Sequence, residues 1–569
     1  MNKISIYQVF TRLFGNKNTS VIKNGSREEN GSGKLNDFSD KALLAIKELG
    51  ITHIWFTGII AHACCEGYPK FKIKDGNPRI IKGRAGSPYA VTDYYDINPD
   101  LATDVPKRMQ EFELLVERTH GAGMKVIIDF VANHVGREYN STIFPDRNFG
   151  KNDDQTLAFS ADNDFYYLPD QRLELPNNSG TNIPNNTPNE YIEHPAKVTG
   201  NDRFDAFVSC DDWYETVKLN YGVDYLNSGA KAFNPIPPLW NKMVDILLFW
   251  AKKSVDGFRC DMVEMVPVEF WDYAINKVKQ AFPNIIFIGE VYNPSLYESY
   301  INTGGFDYLY DKVGLYDALK DIIQGKKSTK EITKCWQSLN GKDNYMLSFL
   351  ENHDEHRIAS PFFAGEPFKA IPAFMVCTTI NKGAIMTYFG QEVGEPANGE
   401  SGYSGDDGRT TIFDYYNVPE HQKWMNDGLF DGGGLSETQN KLRKKYKEIL
   451  NFSLNYKAIA LGEFHDLMWA NDFVGAKSPE KLYAYLRYSF NENILFLVNF
   501  DSENGQQSVL KIPNEILQTM GFNEEDTLVF KGVLYEERTF KSSVVEIKVR
   551  GFWFNISENS GKAFRITKA

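Results

Sequence analysis

Short runs of apolar and β-branched residues recur along the chain at positions 4–9, 51–56, 124–130, 255–260, 285–290, 345–350 and 384–389. Runs of this length with little polar alternation suit strands that are covered on both faces. Between most of them lie stretches with apolar residues at helical spacing, such as 40–49, 106–122 and 238–253. The alternation predicts a parallel sheet wrapped by helices. With an eighth strand placed sixth in order, near 306–310, it predicts an α/β fold of the (β/α)₈ TIM-barrel kind.

Two regions break this rhythm. From about 136 to 222 the alternation stops and Asn, Asp, Pro and Gly become frequent, above all at 175–188. A structureless loop of that length inside a barrel is improbable, so an inserted domain after strand three is expected, with a mere lid as the plainer reading. After about 456 the pattern turns to strands separated by turn residues, at 481–489, 494–500, 508–512 and 543–549, which predicts a C-terminal antiparallel β-sandwich. The expected organisation is barrel over 1–135, inserted domain over 136–222, barrel again over 223–455 and a β domain over 456–569.

A chain of 569 residues with 42% hydrophobic positions can bury cores for that many units. Its formal net charge of -13 argues against nucleic acid and anionic membranes as partners, because both reward clustered Lys and Arg. A neutral ligand fits better. No stretch approaches the about 18 uninterrupted apolar residues of a membrane helix. The first ten residues read as a strand rather than a signal peptide, so a cytoplasmic protein is expected, the alternative being a secreted form that has lost its leader. Cys64, Cys65, Cys210, Cys260, Cys335 and Cys377 are scattered without CxxC pairs, which suits reduced thiols. Composition does not set the oligomeric state.

The suspicious polar residues fall in four segments, each at the end of an expected barrel strand: Asp129-Phe-Val-Ala-Asn-His134, Gly257-Phe-Arg-Cys-Asp261, Ile288-Gly-Glu290 and Glu351-Asn-His-Asp354. In a barrel enzyme the site is assembled at the carboxyl ends of the strands, so these groups are expected to converge. One Asp after a strand is usually a helix cap, but four such segments in barrel register are not explained that way. Arg259, two residues before Asp261 on a strand, is expected to share its face and hold it ionised through a charge-assisted hydrogen bond.

In order and spacing the four segments resemble the signature regions of the alpha-amylase family, glycoside hydrolase family 13. Supporting matches are the segments beginning at Ile6, Leu49 and Tyr89, Val217-Lys-Leu-Asn220, and the strand-eight region from Gly383 to Glu392. The likeness covers roughly 1–455, and the remainder only in pattern. It implies a retaining glycosidase on α-glucans or maltooligosaccharides, with Asp261 as nucleophile, Glu290 as acid/base and Asp354 as third carboxylate. Such chemistry needs an attacking carboxylate and a protonated carboxyl about 5–5.5 Å apart. The resemblance also implies that His353 and His134 grip sugar hydroxyls and that Asp129 braces Arg259. Tyr89 is expected to stack under the sugar. Trp213 and Tyr214 are candidate sugar platforms or insert core, Asp407 and Arg409 candidate outer-subsite residues or a salt-linked loop, and Arg357 a candidate for the sugar side or, more plainly, a helix-start residue at the barrel rim.

The pattern departs from the family after the nucleophile, where Glu264 and Met265 stand in place of a Lys-His pair. In the family this region adjoins a calcium bound by the counterpart of Asn133, by a main-chain carbonyl at the position of Met265 and by the insert. No cofactor is expected for the chemistry, and any calcium is expected to be structural. An α-glucanotransferase would use the same residues, and a non-catalytic carbohydrate-binding scaffold is the reading from a different class. Specificity for α-1,4, α-1,6 or sucrose-type linkages is left open.

Overall fold

A computed structural model describes residues 3–181 and 190–569. The Asn- and Pro-rich positions 182–188 of the expected insert lie outside the described residues.

Eight strands close a barrel: β1 (Ser5–Phe10), β2 (His53–Thr57), β3 (Lys125–Val131), β4 (Gly257–Asp261), β5 (Ile286–Gly289), β6 (Tyr308–Tyr310), β7 (Met346–Phe349) and β8 (Ala384–Tyr388). Each pairs in parallel with its sequence neighbours, and β1 closes the ring against β8. Side chains of β1, β2, β4, β7 and β8 are buried throughout, which is why these strands read as apolar runs. Helices Asp40–Glu48, Arg108–Gly121, Pro238–Ala251 and Val268–Ala281 follow β1, β2, β3 and β4 in turn, with their apolar stripes buried. Helix Ile371–Thr379 is apolar and buried along its whole length because it is covered on two sides, by the barrel and by the C-terminal sheet.

The segment leaving β3 is tied at both ends. Strand His134–Gly136 pairs antiparallel with Thr216–Lys218, placing His134 opposite Lys218. Between them Tyr166, Leu168, Leu173, Ala196, Val198, Ala206, Val208 and Tyr214 form a separate small core. The insert therefore packs on its own residues as well as on the barrel mouth.

At the C-terminus a six-stranded antiparallel sheet and the pair Gln506–Leu510 with Phe552–Ile556 share one core. One expectation fails there. Residues 543–549 are not a strand: the strand is Thr539–Ser543, and Val544–Val549 is a short helix. Ser543 caps it by accepting from the Glu546 N–H, and Val544 and Ile547, three residues apart, are the buried pair. All six cysteines are free. Among the described residues no helix is long and apolar enough to cross a membrane.

Candidate active site

The four polar segments meet at the carboxyl end of the barrel. Arg259 and Asp261 lie on β4, Asp129 stands opposite Arg259 on β3, Glu290 follows β5 directly, and Glu351 to Asp354 follow β7. Residues two apart on a strand share a face, so Arg259 and Asp261 both point inward. The Arg259 guanidinium is fully buried. Its Nη1 donates to Asp261 Oδ1 at 2.7 Å, and its Nη2 makes an ion contact with Glu290 Oε1, also at 2.7 Å, without hydrogen-bond alignment. Asp129 Oδ1 is 3.7 Å from Nη1, an ion contact without a hydrogen bond; its firmer partner is Trp55, whose Nε1 donates to Oδ2 at 3.1 Å. Arg259 Nε donates to the Tyr310 hydroxyl at 3.1 Å, and the rings of Trp55, Tyr89 and Tyr310 lie 5.2–5.5 Å from its Cζ. Surrounding carboxylates and rings hold this arginine protonated although burial opposes its charge.

Glu290 is 3% exposed. Burial pushes its pKa up, the neighbouring Asp261 charge adds to this, and Arg259 opposes it. Its Oε2 accepts from the Met262 N–H at 2.9 Å and its Oε1 from the Tyr292 hydroxyl at 2.8 Å. Met262 adopts a left-handed conformation with φ 45, uncommon for a side chain of its kind, in the turn after β4 where its N–H meets Glu290. Glu264 accepts from the N–H groups of Tyr292 and Asn293, fixing the loop that presents the Tyr292 hydroxyl.

On the other side of the cavity His353 is held on both ring nitrogens. Gln8 Nε2 lies 2.9 Å from Nδ1, while Nε2 faces the Tyr89 hydroxyl and, at 3.1 Å, Asp354 Oδ2. The tautomer with hydrogen on Nε2 satisfies these contacts. Burial, with Arg259 nearby, holds the ring neutral. Tyr89 stacks on His353 with centroids 5.2 Å apart. Burial and then the Glu290 charge push the Asp354 carboxyl up from the usual carboxylate range, while its side chain keeps 42% of its surface accessible. His134 is buried beside Trp213, with rings 5.4 Å apart; burial and Lys218 bring its pKa down to about 3.

A cavity of about 270 Å³ joins these groups, lined by Tyr89, His134, Trp213, Asp261, Met262, Glu290, Tyr292 and Asp354. Lys82 and Glu215 form its buried polar wall, 3.1 Å apart and each under a tenth exposed. A larger cavity of about 520 Å³ lies by the amino ends of β7 and β8 against the C-terminal sheet, away from the converging carboxylates.

The remaining sequence candidates separate. Trp213 lines the cavity, whereas Tyr214 is buried in the insert core with its hydroxyl accepting from the Gly180 N–H. Asp407 and Arg409 pair with each other away from the cavity, while Ile412 and Phe413 of the same loop reach it. Arg357 is no helix-start residue: it is fully buried in a loop, bound to Glu351 at 2.9 Å and to the Phe389 carbonyl. Asn133 Oδ1 accepts from Lys218 Nζ at 2.8 Å, and its Nδ2 donates to the Gly200 carbonyl. Gln8, Met262, Tyr292, Tyr310 and the Lys82–Glu215 pair were not singled out by sequence. Tyr292 carried one signal, its position two residues past Glu290.

Comparison with known proteins agrees with this geometry. Residues 8–414 match the family model described as alpha amylase, catalytic domain. The chain is 23% identical to Alpha-amylase 3 of Dictyoglomus thermophilum, covering 89% of this chain and 88% of that one. It is 22% identical to Probable oligo-1,6-glucosidase 2 of Bacillus subtilis, over 94% and 97% respectively. The crystal structure of an Anoxybacillus alpha-amylase superposes with a TM-score of 0.63 at 18% identity, covering 100% of this chain and 98% of the other, which speaks for the fold alone. With a barrel closed as above and a family match over more than two thirds of its length, the chain belongs to the alpha-amylase family of glycosidases.

Proposed function

We propose that this glycosidase cleaves α-glucans with retention, through a covalent intermediate on Asp261. The observation that carries the reading is one buried guanidinium touching two carboxylates, Asp261 and Glu290, of which Glu290 has its pKa pushed up. Sharing one planar fork brings the two carboxylates near each other, which supports the retaining reading, whose pair stands about 5–5.5 Å apart.

The roles follow from the environments. Arg259 holds Asp261 Oδ1, and the other carboxylate oxygen attacks the anomeric carbon of the bound glucosyl unit. The Glu290 proton passes to the glycosidic oxygen as that bond breaks and the leaving chain departs. Glu290, now ionised, takes a proton from water, whose oxygen attacks the same carbon and frees Asp261. Asp354 and the neutral His353 accept from and donate to hydroxyls of the sugar in this cavity, and Tyr89 offers it a flat face. No step needs a metal. A transferase reading differs only in whether water or a sugar hydroxyl completes the second step.

Two inversions at one carbon restore the starting configuration, so time-resolved proton NMR of maltoheptaose cleavage is expected to show the α-anomer first, with the β-anomer growing in by mutarotation. A β-anomer first would remove the covalent intermediate. Chromatography of products from maltoheptaose, amylose, pullulan and sucrose, with and without a maltose acceptor, separates hydrolysis from transfer and fixes the linkage.

A further inference from the structure

Lys218 lies at the junction of the insert and the barrel and is 2% exposed. Its Nζ donates to Asn133 Oδ1 at 2.8 Å, pairs with Asp202 Oδ1 at 2.5 Å and faces the Met265 carbonyl at 3.5 Å. The Tyr225 ring lies 5.4 Å away. The three oxygens come from the end of β3, from the insert and from the turn after β4, so one cation fastens three separate segments. Asn133 and Met265 mark the locus where the resemblance placed calcium.

The residues here do not fit a bound calcium. That ion takes about six to eight oxygens at 2.3–2.6 Å, whereas these three converge on an ammonium whose positive charge, which burial opposes and Asp202 supports, would repel a second cation. Among the described residues, moreover, no group of three or more His, Cys, Asp or Glu side chains is gathered to hold a metal.

We propose that the Lys218 ammonium is a built-in cation that takes the place of a structural divalent ion, so that the insert is fastened to the barrel without metal. Hydrogen-bond directions favour this arrangement: an ammonium has three donors and no acceptor, and here it meets three acceptors. The strand pairing of Lys218 with His134 fixes the backbone from which the side chain reaches them.

Thermal unfolding of the whole chain, followed by circular dichroism with chelator or with millimolar calcium, tests this without reference to activity. The expected result is a wild-type Tm that is the same in both, and a Lys218→Ala Tm that is several degrees lower in chelator. Calcium then raises the Lys218→Ala Tm, because the substitution removes the repelling charge and leaves the Asn133, Asp202 and Met265 oxygens facing a space in which waters can complete the ion's shell. A calcium-dependent Tm in the wild type, or about one equivalent of calcium retained through purification, would overturn the proposal. So would a Lys218→Ala protein that is no less stable, or one that is less stable and indifferent to calcium, since Lys218 would then be an ordinary buried ion pair. Should the variant accumulate only as insoluble protein, refolding from urea gives the same reading. Recovery that requires calcium supports the proposal, and failure with and without calcium overturns it.

Discussion

Asp261→Ala is expected to lower kcat on maltooligosaccharides by about four orders of magnitude or more while the protein remains folded. At about 1.36 kcal/mol per tenfold change, that is roughly 5 kcal/mol of lost transition-state stabilisation. The loss follows from chemistry, because no other carboxylate is held beside Asp261 in the same orientation. Asp129 lies at β3 and hydrogen-bonds to Trp55, and Glu290 is committed through Met262 and Tyr292. The effect on folding is smaller. Removing one partner of a buried ion pair costs about 3–5 kcal/mol when the other is left alone, but without the Asp261 charge Glu290 ionises more readily beside Arg259, 2.7 Å away, so the expected cost is below that range. Asp261→Asn retains shape and an acceptor for Arg259, and separates the two effects: its Tm should approach the wild type while its kcat does not. Retention of more than about a hundredth of kcat in both variants, with unchanged circular dichroism, would remove Asp261 from the role of nucleophile.

The barrel was legible because its strands are covered on both faces and therefore carry a mostly apolar signal; all eight expected runs overlap observed strands. The sixth, three residues long, was the hardest to place for want of length. Periodicity misled at 543–549, where Val544, Val545, Ile547 and Val549 suit a strand by composition, although only Val544 and Ile547 are buried, at helical spacing. In the site, sequence pointed to groups that sit together in short motifs. It did not show groups whose meaning lies in a contact across the fold. Gln8 matters because it reaches His353, 345 positions away, and Tyr310 because it meets Arg259 from a neighbouring region of the barrel wall. Lys218 stood in view within a matched segment, but its three oxygen partners come from three distant parts of the chain.

Glu290→Gln separates the two halves of the reaction. On maltooligosaccharides it is expected to lose about 10²–10⁴-fold in kcat, the usual contribution of a positioned acid or base. A dinitrophenyl α-maltoside needs little protonation of its leaving group, so attack by Asp261 proceeds on it nearly unaided. Water still has to be deprotonated in the second step, which predicts a rapid burst of phenol, stoichiometric with enzyme, followed by slow turnover. The pH dependence gives an independent reading. Burial and the Asp261 charge raise the Glu290 pKa, so the protonated form persists to higher pH and wild-type kcat/KM falls as pH rises through that raised value. The Gln variant carries no proton to lose there, and its burst rate should be level on the basic side. Equal losses on both substrates with the basic limb intact would place the proton donor elsewhere. Asp354, itself pushed up by burial and by the charge of Glu290, is the next carboxyl to test, and Asp354→Asn would then show the burst in its place.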